Sequence, residues 1–229
     1  MKKVAILFIV LLTSSFVFAQ NTYVPDDNFE QALIDLGYDT TLDDSVLTAN
    51  ISGVTSLDVS SKEISDLTGI EAFTALTELV CSSNKLTGLD VSANTALTHL
   101  YCGDNDLTSL DVSANTALTN LHFNQNQLTS MDLSKNTALT YLRCDVNQLT
   151  SLDVSNNTAL IYLETHYNQL TYLNMRNGIT DALNGIGPED TDFNATNNSS
   201  LTCIETLDPD YATANWTSAK ENIDAGVTF

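Results

Sequence analysis

A period of 21 residues constrains this chain more than any other feature. From Leu76 it reads LTELVCSSNKLTGLDVSANTA, and from Leu97 LTHLYCGDNDLTSLDVSANTA. LTNLHFNQNQLTSMDLSKNTA follows from Leu118 and LTYLRCDVNQLTSLDVSNNTA from Leu139. A fifth unit begins at Leu160 and decays after Met175, and a 22-residue forerunner begins at Val54. Self-similarity at such a period means a stacked array in which each unit buries its apolar face only against its neighbours. About six coils exceed the three or so that such an array needs.

The columns of the alignment have mechanical reasons. Leu79, Leu100, Leu121, Leu142 and Leu163 recur at one position, with Cys81, Cys102, Phe123, Cys144 and Thr165 two residues on. An apolar–x–apolar pair is one inward face of a short strand, so stacking turns the pairs into a parallel sheet. Asn84, Asn105, Asn126, Asn147 and Asn168 form another column. A buried Asn donates and accepts at once, so a ladder of them can satisfy backbone groups at a tight bend. Lys62 stands at that place in the forerunner, so the ladder is expected to start one coil later.

The pattern LxxLxCxxNxL resembles the leucine-rich repeat signature, and the 21-residue unit resembles the short bacterial, internalin-like class. The ISDLTGIEAF of the forerunner is also similar to that class. The resemblance covers about residues 54–175. It implies an α/β-type, right-handed leucine-rich repeat solenoid that binds partners on its strand face, and it implies no enzymatic activity.

Each unit is itself doubled, because LxxLxC is followed ten residues later by LxxLDV. Both halves can present a strand-like segment, and 21 residues leave no room for a return helix. The expected coil is flat and β-rich. Residues 20–53 read as an N-terminal cap and 176–229 as a C-terminal cap, since terminal coils would otherwise expose core. Asp27 is expected as the N-cap of a short helix over 26–37, with Glu30 at its third position and Gly37 as its stop. Phe29, Leu33 and Leu36 would share its inner face. Residues 177–191 read as an inserted loop before a last partial coil at 192–201, which Trp216 and Ile223 would plug.

Charge and composition narrow the function. The chain carries 8 Lys+Arg against 29 Asp+Glu, a net charge of −21. Phosphate neutralisation needs basic clusters, so nucleic acid is excluded as a partner, as is docking on anionic lipid. Yet only 16% of residues are charged, so neutral Thr, Ser and Asn must fill the surface. Lys2 and Lys3 precede an apolar run over Val4–Leu12, with Val17 and Ala19 at the −3 and −1 positions of a cleavage site. Residues 1–19 therefore read as a signal peptide, and the product as secreted or held at the cell surface. The run is too short for a membrane span.

Comparing the copies shows where the chain varies. LTSLDVSANTA is nearly constant, whereas the first half varies at its outward positions. Glu78, His99, Asn120, Tyr141 and Tyr162 form one such column, and Val80, Tyr101, His122, Arg143 and Glu164 the next. Beyond them come Ser82, Gly103, Asn124, Asp145 and His166, then Ser83, Asp104, Gln125, Val146 and Tyr167. Tyr and Arg supply contact area with polar ends, the usual hot-spot chemistry. The expected ligand-binding face is Glu78, His99, Tyr101, His122, Tyr141, Arg143, Tyr162, Glu164, His166 and Tyr167. A protein ligand of a monomeric module is expected there, with glycan binding the alternative and a structural or ice-interacting solenoid, using the row Thr87, Thr108, Thr129, Thr150 and Thr171, a third.

Other constellations yield less. Asp58, Asp90, Asp111, Asp132 and Asp153 repeat at coil spacing and are read as turn-capping residues rather than a Ca²⁺ ladder. Asp190, Asp192 and Asn194 mimic the start of a Ca²⁺ loop but lack its Gly and its final Glu. Cys81, Cys102 and Cys144 fill an apolar column and are expected as unbridged thiols acting as small hydrophobes, with Cys203 unpaired. No nucleophile, metalloprotease or phosphate-loop motif is present, so no catalytic residue, metal or cofactor is expected.

Overall fold

The computed structural model describes residues 20–178 and 193–229. The expected signal peptide, and nearly all of the expected insertion with Asp190 and Asp192, lie outside the described residues. The element order is β1 (Asn21–Tyr23), α1 (Asp27–Asp35), β2 (Ser45–Leu47), α2 (Thr48–Ile51), β3 (Ser56–Asp58), β4 (Glu78–Val80), β5 (His99–Tyr101), β6 (Asn120–His122), β7 (Tyr141–Arg143), β8 (Ser151–Asp153), β9 (Tyr162–Glu164), β10 (Tyr172–Met175), β11 (Phe193–Asn194), β12 (Ile204–Thr206) and α3 (Pro209–Asn215). The dominant sheet has seven parallel strands in the order β11-β9-β7-β6-β5-β4-β3. Its register follows the 21-residue period: Leu79 pairs with Leu100, Leu100 with Leu121, Leu121 with Leu142 and Leu142 with Leu163. Those leucines, with Cys81, Cys102, Phe123 and Cys144, are fully buried. The chain is thus a β-rich parallel solenoid with few helices.

The second half of the coil makes less sheet than its sequence suggests. Among the described residues, only β8, β10 and β12 join into a second, three-stranded parallel sheet. Between the earlier coils a single bridge, Asp90 to Asp111, stands in for it. Asp90, Asp111, Asp132 and Asp153 each accept from the backbone N–H two residues on, at Ser92, Ser113, Ser134 and Ser155. Asp153 makes this turn from within β8, so the turn closes the coil without deciding where the ladder forms. The hydrogen bonds from Ser92 and Ser113 hold the Asp90 and Asp111 carboxyls below the ordinary range. Asp58 does not belong to this column. It lies in β3 and pairs with Val80, so it stands on the strand face. The dipeptide Asp-Val recurs in both halves, and that likeness hid the difference.

Two asparagine ladders tie the coils together. In the expected one, Asn126 Oδ1 accepts from Leu107 N–H while its Nδ2 donates to the Cys102 and Phe123 carbonyls. Asn105, Asn147 and Asn168 repeat the arrangement, and Asn198 continues it beyond the fifth unit. Asn84 Oδ1 accepts from Lys62 N–H, so the ladder does begin one coil after Lys62. The second ladder is Asn94, Asn115, Asn136 and Asn157, all fully buried. Asn115 Nδ2 donates to the Val91 and Asn94 carbonyls, and Asn136 Nδ2 to those of Val112 and Asn115. This is why the SANTA segment barely changes between copies.

At the N-terminal end the helix cap is one residue earlier than expected. Asp26, not Asp27, is the N-cap of α1, accepting from Asn28 and Phe29 N–H. Its other oxygen accepts from Ser65 N–H, Ser65 Oγ and Asp66 N–H, which fastens the helix to the first coil. Glu30 is fully buried and turned away from the cap, accepting from the backbone of Asp43, Asp44 and Ser45. Phe29 and Leu33 are in the core, but Leu36 is exposed because the helix ends at Asp35. At the far end Trp216 is buried between Phe193 (4.8 Å) and Phe229 (5.8 Å), and Ile223 lies in the same core. Among the described residues no helix is long and apolar enough to cross a membrane.

Candidate functional site

The outward face of the seven-stranded sheet carries the side chains that vary. Side chains alternate across a strand, so β4, β5, β6, β7 and β9 each bury their central Leu and turn their first and third residues outward. The register sets Glu78, His99, Asn120, Tyr141 and Tyr162 side by side, and Val80, Tyr101, His122, Arg143 and Glu164 beside them. Eight of the ten expected residues are thereby set on one surface, and His166 and Tyr167 follow directly on the end of β9. They are mostly half-buried because they pack on one another.

The face has two chemically different ends. Over β5 and β6, Tyr101 meets His122 edge-to-face at 4.7 Å and tilts against His99 at 6.1 Å. Burial and then the Arg143 guanidinium push the His122 imidazole down to about 4. Burial also raises the Tyr101 phenol, helped by Glu78. Over β7 and β9, Tyr141 and Tyr162 stack at 5.4 Å. Tyr162 donates its hydroxyl to Glu164 Oε1 at 2.5 Å, and Arg143 Nε stands 2.6 Å from Glu164 Oε2. Arg143 Nε is also 3.5 Å from Asp145 Oδ1, and His166 Nε2 is 3.7 Å from Asp145 Oδ2. Asp145 is 3% exposed, and that burial pushes its carboxyl up against the opposing pull of Arg143 and His166. Asp145 was not singled out from the sequence, although its column contains His166. A lone Asp in a variable column gives no sign of burial until its neighbours are placed.

The outermost column has a backbone peculiarity. Ser83, Asp104, Gln125, Val146 and Tyr167 all have φ between +52° and +56°. This is the left-handed region, which a non-glycine residue, and above all a β-branched one, enters at a cost. Each of these N–H groups donates to a carbonyl of the next coil, as Val146 N–H does to His166 O at 3.0 Å. The geometry is thus imposed by stacking, and the side chains are thrown out to solvent: Val146 is 41% and Tyr167 57% exposed. Tyr167 then meets His166 edge-to-face at 5.4 Å.

The remaining motifs resolve structurally. Cys81, Cys102 and Cys144 are buried free thiols and Cys203 is an exposed one. Desolvation pushes the Cys102 and Cys144 thiols up to about 12, so they are inert packing groups. Thr87, Thr108, Thr129, Thr150 and Thr171 form an exposed row away from the sheet face. A separate Thr column, Thr77, Thr98, Thr119 and Thr140, is used within the fold, each hydroxyl donating to a carbonyl of the coil before.

With this geometry in hand, comparison with known proteins places the chain. No family model matches it. Internalin J of Listeria monocytogenes serotype 4b (strain F2365) is 44% identical over 74 residues, which is 32% of this chain and 8% of that protein. The solved functional domain of InlJ from Listeria monocytogenes, which includes a cysteine ladder, is 36% identical with a TM-score of 0.64. The match covers 83% of this chain and 47% of that one. Internalin C2 from strain F2365 has the same fold at 22% identity, with a TM-score of 0.62 over 82% of this chain and 79% of its own. The chain thus spans under half of the solved InlJ domain, and the matched stretch under a tenth of curated internalin J. Repeat sequence, coil register and these likenesses together make the chain an internalin-like leucine-rich repeat protein.

Proposed function

We propose that this chain is an exported binding module that recognises a protein partner through the outward face of β4, β5, β6, β7 and β9. The stacked Tyr141–Tyr162 pair beside Arg143 carries the reading. Large, amphipathic aromatic rings next to an Arg are the chemistry that dominates protein interfaces, and they cost little entropy to order. Tyr141 and Tyr167 stay more than a third exposed although the rest of the face packs on itself. Internalin-like relatives and the leader-like residues 1–19 support export to the cell surface or beyond it.

The test is capture from cell-surface extracts followed by an affinity measurement on the partner so identified. The triple variant Tyr141→Ala/Arg143→Ala/Tyr162→Ala should lose binding by about 100-fold or more, the sum of two or three hot-spot truncations. A triple variant that binds the purified partner as well as the parent does would remove the face from consideration.

A further inference from the structure

We propose that Asp145, Glu164 and His166 form a binding site for a divalent transition ion of the zinc class on the sheet face. One ligand atom from each lies within 4.8 Å of the other two. The coil builds this convergence. Asp145 and His166 occupy the same place in successive repeats, and Glu164 stands two residues before His166, on the same side of the strand.

Three observations point to an ion rather than to a self-sufficient ion pair. Asp145 is buried, yet its Oδ1 has no hydrogen bond among the described residues. Its neighbours at 3.5 and 3.7 Å are too distant to be good donors. A buried carboxylate left so is expensive and calls for a partner. Next, the Tyr162 hydroxyl holds Glu164 Oε1 and leaves Oε2 directed at the cluster. This is the supporting contact that orients a ligating carboxylate. Finally, Nε2 is the His166 nitrogen that faces Asp145. The 3.7 Å between Nε2 and Oδ2 is close to the edge of a tetrahedral zinc site, roughly 3.4 Å for bonds of about 2.05 Å.

One imidazole with two carboxylates suits zinc, cobalt or manganese better than calcium or magnesium, which take oxygen ligands. Arg143 is the countercharge the ion would replace. Its side chain is 37% exposed and can swing to solvent. Ion and guanidinium therefore compete for the same two carboxylates, and three protein ligands leave an open position on the outward face. The site is read on the isolated chain, so it stands or falls separately from the partner-binding reading.

The test is calorimetric titration of the metal-stripped chain with Zn²⁺, with Co²⁺ absorption as a spectroscopic probe. One saturable site per chain is expected, with visible Co²⁺ bands of low coordination number. Asp145→Asn and His166→Gln should each weaken binding by about tenfold or more. Arg143→Gln should tighten it several-fold, a direction that a merely structural role for Arg143 does not produce. If Asp145→Asn melts at a lower temperature, His166→Gln carries the test, since that ring is partly exposed. Absence of saturable Zn²⁺ uptake by the parent chain overturns the site. Uptake that survives His166→Gln overturns it equally, because exposed carboxylates elsewhere would then be the ligands.

Discussion

The two halves of each coil begin from nearly the same residues and meet opposite demands. Both contribute an apolar–x–apolar pair to one core. In the constant half the polar residues serve the backbone: Asp111 closes a turn onto Ser113, and Asn115 is buried bridging two carbonyls of the coil before. In the variable half that duty is concentrated in Asn126 and Thr119, and the outward residues between them owe the backbone nothing. The constancy of LTSLDVSANTA is therefore a consequence of hydrogen bonding. The contrast between the halves does not by itself mark a binding surface. The halves differ further in the kind of residue that fills the unconstrained positions: Tyr, His and Arg on the strand face, against Thr and Ser in the exposed row behind.

This comparison can be broken by mutation, beginning where the effect is greatest. Asn126→Ala strands the Leu107 N–H and two carbonyls in the core, so it should cost about 3–5 kcal/mol in urea unfolding. Asn115→Ala, in the other half, strands two carbonyls and should cost about 2–3 kcal/mol. If Asn115→Ala proved neutral, the constant half would not be constant for structural reasons.

A pH effect comes next. His122 has its folded value lowered to about 4 from an ordinary 6.5, so the unfolded chain binds the proton first. Stability is then greatest above pH 6.5 and falls as pH drops through that value toward 4. The loss between pH 6.5 and 5 should be about 1 kcal/mol after discounting for the ring's solvent contact, and His122→Gln should flatten that part of the profile. Below this window a further loss begins. The depressed carboxyls of Asp26 and Asp90 stabilise the fold above their unfolded value and lose that contribution as pH falls through their lower folded values.

The smallest expected change has the opposite sign. Val146 holds a left-handed backbone with an exposed side chain, so Val146→Asn should stabilise by about 0.5–1 kcal/mol in thermal unfolding. A destabilised Val146→Asn would mean that the valine side chain has a packing role the strand face is not supposed to impose.

Much of this fold was legible because five copies of one unit align in register. The Leu and Cys columns, the Asn84–Asn168 ladder and the parallel sheet all follow from residues that recur with one function each. Three features escaped. Asp58 shares its Asp-Val dipeptide with Asp90 but sits in the other half of the coil. Asn94 reads as a surface turn residue, since Ser-Ala-Asn-Thr-Ala carries no large apolar group to announce burial. The left-handed column is unreadable because it holds Ser, Asp, Gln, Val and Tyr and no glycine; only stacking against the next coil imposes the conformation. At the candidate site the columns predicted which side chains share a face. The convergence of Arg143, Asp145, Glu164 and His166 depends on side-chain packing that column membership does not specify.

The most direct test of the division between scaffold and binding surface is one affinity measurement, made on the captured partner with two triple variants in parallel. Tyr141→Ala/Arg143→Ala/Tyr162→Ala alters the strand face, and Thr108→Ala/Thr129→Ala/Thr150→Ala alters the exposed row on the constant half. The account predicts that the first raises Kd by about 100-fold or more while the second leaves it within about twofold. Loss of binding with the Thr variant and retention with the Tyr/Arg variant would place the recognition surface on the wrong half of the coil and contradict the account.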